Sequence, residues 1–342
     1  MQVLVIKLGT AVLTDSSGKI NEGVIEKLAG EVAQLSKKFY VVLVSSGAVG
    51  SGKAFISNYK GTLTQRKAAS AIGNPLLIQL YQKYFSAFSI PVAQALCERH
   101  HFSNRQQFLQ LKETFETFWE NRILPIVNEN DLVSNVELKF SDNDELATLL
   151  AVGFDAETLI ICTSAGGLKD DHDQIIPQVE KIDAQVMAYV KKEKSATGLG
   201  GMVSKLSFTK LATSLGIRVI MCGLDGEQPL QKALAQKKGT VFHHKASSLK
   251  ARQKWLASGS ITLGSIEVDR GAEEALHHRK SLLAVGIKNV SGNFDAGEVV
   301  QLIGSDKSIL GVAKVRMSSG GLTESRDLKN SLAAHVDDIV MF

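Results

Sequence analysis

Val3-Leu4-Val5-Ile6-Lys7-Leu8-Gly9-Thr10 is the stretch from which the fold can be read. Val3–Lys7 is short, rich in β-branched residues and apolar at consecutive rather than alternating positions. A strand that is apolar on both faces suits a parallel sheet covered by helices on both sides. The same texture recurs at Tyr40–Val44, Ile90–Ala95, Ile123–Val127, Thr158–Cys162 and Ile217–Cys222. Helical patterns lie between these runs. Val24, Leu28, Val32 and Leu35 form one apolar stripe. Asn74-Pro75 reads as an N-cap and first-turn pair opening a helix that runs through Phe88. Asp142 and Glu145 have capping-box spacing ahead of Leu146, Leu149 and Leu150, and Val203 to Leu215 reads as another amphipathic helix. The alternation predicts an α/β fold over residues 1–245, a three-layer α/β/α sandwich with a mainly parallel sheet.

Polar, mostly glycine-bearing segments follow the apolar runs. They are Lys7-Leu8-Gly9-Thr10, Ser45-Ser46-Gly47, Asn128-Glu129-Asn130-Asp131 and Ser141-Asp142-Asn143-Asp144, with a fifth at Gly198-Leu199-Gly200-Gly201-Met202-Val203-Ser204-Lys205. In open α/β sheets the ligand crevice lies just past the strand C-termini. A lysine ending a strand is ordinarily solvated, and so is one lying a turn into a helix. Taken together, and beside a glycine-rich helix N-terminus that favours anions, Lys7 and Lys205 bracket a candidate polyphosphate site. Asn128 to Asp131 is either a plain turn or the end of a zwitterion site, with a carboxylate for an ammonium group. Asp142-Asn143-Asp144 is either a helix cap or a cluster in which Asp144 holds both lysines or helps bind magnesium. These parts make phosphoryl transfer the natural chemistry. Gly47-Ala48-Val49-Gly50-Ser51-Gly52-Lys53-Ala54 imitates a P-loop, but Ala54 stands where a magnesium-binding hydroxyl is required. The preferred reading there is a substrate loop at Ser45-Ser46-Gly47.

With 342 residues the chain has room for about two domains, and 44% hydrophobic content supports packed cores. A net charge of +4 does not mark a nucleic-acid binder. Cys97, Cys162 and Cys222 are scattered and outline no disulfide framework or zinc site; Cys162 and Cys222 end apolar strand-like runs and are expected to be buried thiols. The histidines show no metal-binding spacing, and their adjacent pairs read as surface residues. The N-terminus opens on a strand-like run without signal-peptide character, and no apolar stretch is long enough to cross a membrane. A soluble, cytoplasmic protein is expected. Residues 246–258 are polar and basic and read as a linker. Beyond them the strand-like runs Ser260–Leu263, Ser281–Ala284, Gly297–Ile303, Ile309–Lys314 and Asp338–Met341 predict a small β-rich domain over residues 259–342.

On Lys7-Leu8-Gly9-Thr10, Val44-Ser45-Ser46-Gly47-Ala48, Val127 to Asp131, Asp142-Asn143-Asp144 and Gly200 to Lys205, the chain resembles the amino-acid kinase family, in its glutamate 5-kinase branch. Val268-Asp269-Arg270-Gly271-Ala272, Gly286-Ile287 and Gly292-Asn293-Phe294 resemble a PUA domain. The resemblance implies ATP-dependent phosphorylation of the glutamate γ-carboxylate, the first step of proline synthesis, with Mg2+ accompanying ATP. It implies catalytic roles for Lys7, Lys205 and Asp144, and glutamate binding by Ser46, Gly47, Asp131 and Asn143. ATP would be bound by Lys7, Gly9, Thr163, Ser164, Leu199, Gly200, Gly201, Met202, Val203, Ser204 and Lys205, with no protein-held metal. Proline as feedback inhibitor and a homo-oligomeric state come with it. Three departures from the family pattern fall on the nucleotide side: Ser164 for an aspartate, Leu199 for a threonine, and Lys169-Asp170-Asp171-His172-Asp173 for Tyr-Thr-Ala-Asp-Pro. An RNA-binding role is the competing expectation, because PUA-like domains often bind RNA. Charge argues against it: from Ser258 onward nine lysines and arginines face eleven aspartates and glutamates. Aspartate or N-acetylglutamate as substrate is a further alternative, disfavoured by Asn128-Glu129-Asn130-Asp131.

Overall fold

A computed structural model describes residues 1–15, 19–103, 105–132, 142–191, 201–244, 264–325 and 331–341. The chain divides into two compact units, Met1–Glu98 with Leu109–Ala246, and Arg99–Phe108 with Ser247–Phe342.

The first unit is built on eight strands: β1 (Gln2–Leu8), β2 (Phe39–Ser45), β3 (Val92–Cys97), β4 (Leu124–Glu129), β5 (Thr158–Cys162), β6 (Gln178–Val179), β7 (Arg218–Cys222) and β8 (Thr240–Phe242). Their order across the sheet is β3-β4-β2-β1-β5-β7-β8-β6. Every neighbouring pair is parallel except β7 with β8. The register aligns Ser45, Leu8, Cys162 and Cys222 in one row across β2, β1, β5 and β7. The polar segments that follow therefore emerge along one edge of the sheet.

Among the described residues the helices up to Ala246 are α1 (Thr10–Leu13), α2 (Glu22–Leu35), α3 (Ala48–Gly52), α4 (Leu63–Ser86), α5 (His100–Ser103), α6 (Arg105–Glu120), α7 (Asn143–Gly153), α8 (Ala184–Lys191), α9 (Met202–Ser214) and α10 (Pro229–Leu234), of which α5 and the start of α6 are grouped with the second unit. Leu4, Ile6 and Leu8 of β1 pack with Leu28 and Val32 of α2 and with Leu77, Tyr81 and Phe85 of α4. Side chains alternate along a strand, so Lys7 faces the other layer, where α7 lies against β1. The sandwich expected from the sequence is what forms. Among the described residues no helix is long and apolar enough to cross a membrane.

Several expectations are corrected. Asn74-Pro75 does not open a helix; it lies inside α4, which begins eleven residues earlier behind a Thr62–Gln65 capping box. The first half of α4 escaped notice because its buried face is Ala69, Ser70 and Gly73, small residues that make no apolar stripe. Pro75 has no N–H to offer the carbonyl of Ala71, and the helix continues past it. The strand read as Ile90–Ala95 is displaced to Val92–Cys97, and the last two strands of the sheet, β8 and β6, are too short to have registered.

The glycines of the P-loop-like stretch serve packing. Gly47 adopts φ 105°, a left-handed turn after β2 that leads into α3. A Cβ on Gly52 would lie 1.9 Å from the carbonyl oxygen of Ala69, and one on Gly73 would lie 1.7 Å from that of Ala48. The backbones of α3 and α4 thus touch, and no side chain fits between them. Gly52→Ala is expected to destabilise the protein by about 1–3 kcal/mol through overpacking. Urea unfolding of the purified variant measures this, and an unchanged midpoint would rule out the tight contact.

The second unit holds a five-stranded sheet, in the order Ile287–Gly292, Gly264–Val268, Val299–Ile303, Ile309–Lys314 and Ile339–Met341. Leu282–Leu283 and Leu332–Ala334 form a separate pair. Ile266, Val268, Leu276, Phe294, Val300 and Leu302 are part of its core. Asp269 caps the helix Arg270–His277 by accepting from Ala272 N. This is the expected β-rich domain, with Gly264–Val268, Ile287–Gly292 and Leu332–Ala334 as strands the sequence reading passed over. The expected strand Ser260–Leu263 and the linker 246–258 lie outside the described residues.

Candidate active site

Asp144 is the centre of the site. Asp142 caps α7, its Oδ1 accepting from the backbone N–H of Asp144 at 2.9 Å and of Glu145 at 3.1 Å. The cap sets Asn143 and Asp144 on the first turn, where the helix field favours a negative charge. Lys7 Nζ, from the end of β1, lies 2.7 Å from Asp144 Oδ1, and Lys205 Nζ, from the first turn of α9, lies 2.9 Å from Oδ2. The Lys205 contact is a hydrogen bond. Lys7 and Asp144 form a buried ion pair. Burial pushes the Asp144 carboxyl up, but the two ammonium groups outweigh it and hold the group below the usual carboxylate range. For Asp142, burial and then the neighbouring Asp144 charge win, and its carboxyl is pushed up. Ser204 Oγ donates to Asp142 Oδ2 at 2.7 Å, tying the start of α9 to the start of α7.

Lys7, Asp142, Asp144 and Lys205 line a cavity of ≈ 270 Å³, together with Gly9, Thr10, Ser46, Asn143, Thr163 and Ser164. Two roomier cavities, of ≈ 730 and ≈ 940 Å³, contain none of these residues. Chemistry rather than size selects the smaller one, where Lys7, Lys205, Asp142 and Asp144 converge beside the ends of β1 and β5. Thr163 and Ser164 follow β5 directly, and Gly201 precedes α9 as its N-cap. Met202 lines a neighbouring recess beside Tyr189 and Val190, whereas Val203 is half exposed. Leu199 and Gly200 lie outside the described residues. Lys53, in the P-loop-like stretch, is not among the cavity's residues.

On the other flank, Asn143 Nδ2 is shared among Asn128 Oδ1 at 3.0 Å, Ser46 Oγ at 3.1 Å and the Ser45 carbonyl at 3.3 Å. Gly47 follows Ser46 as the N-cap of α3. Asp131 does not line the cavity; its Oδ2 accepts from Ser70 Oγ of α4 at 2.7 Å. Sequence reasoning overlooked Ser70, Asn74 and the side chain of Asp142 as parts of this region. A serine and an asparagine one turn apart amid alanine and glycine were the available signal. Among the described residues no group of three or more His, Cys, Asp or Glu side chains could hold a metal.

Residues 2–223 match the amino acid kinase family, and residues 264–335 match the PUA domain. Glutamate 5-kinase of Aquifex aeolicus is 39% identical over 333 residues, which span 96% of this chain and 93% of that protein. The Kosmotoga olearia glutamate 5-kinase is 36% identical over 335 residues, again 96% and 93%. The Haemophilus influenzae glutamate 5-kinase is 32% identical over 99% of both chains. Among solved structures, carbamate kinase from Giardia lamblia bound to AMP-PNP matches with a TM-score of 0.53 at 18% identity, covering 71% of this chain and 99% of that one, a likeness of fold. With a parallel sheet whose polar strand ends meet two lysines and an aspartate, this chain belongs to the amino acid kinase family, within its glutamate 5-kinase branch, and carries a PUA domain.

Proposed function

We propose that the protein phosphorylates the γ-carboxylate of L-glutamate with ATP, releasing ADP and γ-glutamyl phosphate, the first step of proline synthesis. The observation that carries this reading is the Lys7–Asp144–Lys205 cluster set beside the amide-rich flank of Asn143, Asn128 and Ser46. The acceptor carboxylate is already ionised at neutral pH, so no general base is required. One of its oxygens forms a bond to the γ-phosphorus of ATP as the bond to the ADP oxygen breaks. Charge then spreads over the transferring phosphoryl oxygens, and Lys7 and Lys205 neutralise it from two sides. Asp144 keeps both ammonium groups in place. Gly9, Thr163, Ser164 and the start of α9 supply the nucleotide side. Ser46, Gly47, Asn143 and Asp131 supply the glutamate side, Asp131 serving the ammonium end.

Both oxygens of Asp144 are engaged by lysines, and those of Asp142 by the helix cap and Ser204. Mg2+ would enter on the nucleotide, as the MgATP substrate, and would screen the phosphates. Cytoplasmic location, proline as feedback inhibitor and a homo-oligomeric state belong to the same reading and rest on the family resemblance.

The test is an ATP-dependent hydroxamate assay with glutamate, aspartate and N-acetylglutamate. Glutamate alone is expected to give product. Preference for either of the other acids would overturn the assignment of the acceptor.

A further inference from the structure

Mid-helix serines and threonines in this chain usually bond back to their own helix. Ser51, Thr114, Thr117, Ser207 and Thr213 each donate to the carbonyl four residues earlier. Ser70 breaks the habit. It is fully buried in α4, and its hydroxyl donates instead to Asp131 Oδ2 at 2.7 Å, a residue 61 positions away. Asn74, one turn further along α4 and also buried, donates from Nδ2 to Ser70 Oγ at 3.2 Å. Its Oδ1 accepts from Asn128 Nδ2 at 3.0 Å, and Asn128 Oδ1 accepts from Asn143 Nδ2 at 3.0 Å.

All four bonds run in one direction: Asn143 donates to Asn128, Asn128 to Asn74, Asn74 to Ser70, and Ser70 to the Asp131 carboxylate. A carboxylate can only accept, so Ser70 must donate to it and then receive from Asn74. That requirement turns the Asn74 amide, which turns Asn128, which turns Asn143. In a buried chain of this kind each bond polarises the next. The charge at one end thereby sets which way the amide at the other end faces.

We propose that Ser70 and Asn74 are positioning residues of the acceptor subsite, coupling Asp131 to Asn143 and Ser46 through this relay. The proposal rests on the reading of these three residues as the glutamate side of the site. Neither Ser70 nor Asn74 lines the cavity, so each acts through the others. The relay lets one substrate be gripped at two points by groups whose orientations are not independent.

Steady-state kinetics on full-length Ser70→Ala and Asn74→Asp test this. Ser70→Ala deletes the donor to Asp131. Asn74→Asp keeps the shape but presents an acceptor where Ser70 needs a donor. Each is expected to raise the KM for glutamate roughly ten-fold, the loss of one hydrogen bond to a charged group. The KM for ATP and kcat should stay close to wild type. Asp131→Asn alone should raise the glutamate KM by roughly ten- to a hundred-fold. Adding Ser70→Ala to it should add little, because the two sites form one unit. An unchanged glutamate KM in folded Ser70→Ala, or full additivity with Asp131→Asn, overturns the relay. So does a fall in kcat with no KM split that follows a lowered thermal midpoint, as a merely structural role would give. If wild type prefers another acid in the hydroxamate assay, the assignment of glutamate fails, and the relay is read on the KM for that acid.

Discussion

Asp144→Ala should abolish turnover and weaken folding together. Asp144 is 1% exposed and Lys7 5% exposed, so removing the carboxylate strands an ammonium group inside the protein. Breaking a buried pair from one side typically costs about 3–5 kcal/mol. Urea unfolding of the full chain at neutral pH measures the loss, and a variant as stable as wild type would show that the lysines relax into solvent instead. The pH dependence has a definite sign. The Asp144 carboxyl is held below its ordinary value. Its stabilisation is complete above the unfolded value of ~3.9 and disappears as pH falls through the lower folded value. Asp142 runs the opposite way, since its carboxyl is pushed up. Its contribution is complete below the unfolded value and is lost as pH rises through the folded one.

Lys7→Ala and Lys205→Ala should each lower kcat by roughly 10²–10³-fold, the order seen when one preorganised charge-stabilising donor is removed. Their charges matter most where the phosphoryl group is in transit, so the KM for glutamate should move far less. Lys53→Ala is the control. It has the position a P-loop lysine would have, yet it follows α3 in a short 3₁₀ turn and does not line the cavity. Its kcat should match wild type. The three purified variants, checked for folding by circular dichroism, decide between two chemistries. Collapse of turnover at Lys53 alone would show that the Lys7–Asp144–Lys205 cluster is not the phosphoryl site.

Much of this was open to reading in the residue order, for a physical reason. Buried parallel strands are apolar on both faces, so where β1, β2, β4 and β5 end, the change to Lys7-Leu8-Gly9, Ser45-Ser46-Gly47, Asn128 and Thr163 is abrupt. In-register pairing then brings those ends together. The Asp142 cap was equally plain, because capping is local. What stayed hidden depends on distance. Ser70 and Asn74 take their meaning from partners 61 and 54 residues away. Their helix packs through glycine and alanine, so the usual apolar stripe was missing and the proline at 75 looked like a beginning. The short strand β8 was missed because three residues carry too little pattern, and its antiparallel pairing is set by β7.

The row of residues at the ends of the strands has one more property. Cys97 ends β3, Cys162 ends β5 and Cys222 ends β7, and all three thiols are free and buried. Burial pushes the Cys97 thiol up to about 12. The hydrogen bond with Cys222, and then burial, push up that of Cys162. Only a thiolate reacts quickly with an alkylating reagent, so labelling of Cys97 or Cys162 in the native protein must wait until the structure around it opens. The rate at which each becomes modified is thus a clock for local unfolding, one at the outer margin of the sheet and one beside the Lys7–Asp144–Lys205 cluster. The kinase unit carries these timers in its own sequence, without any introduced probe.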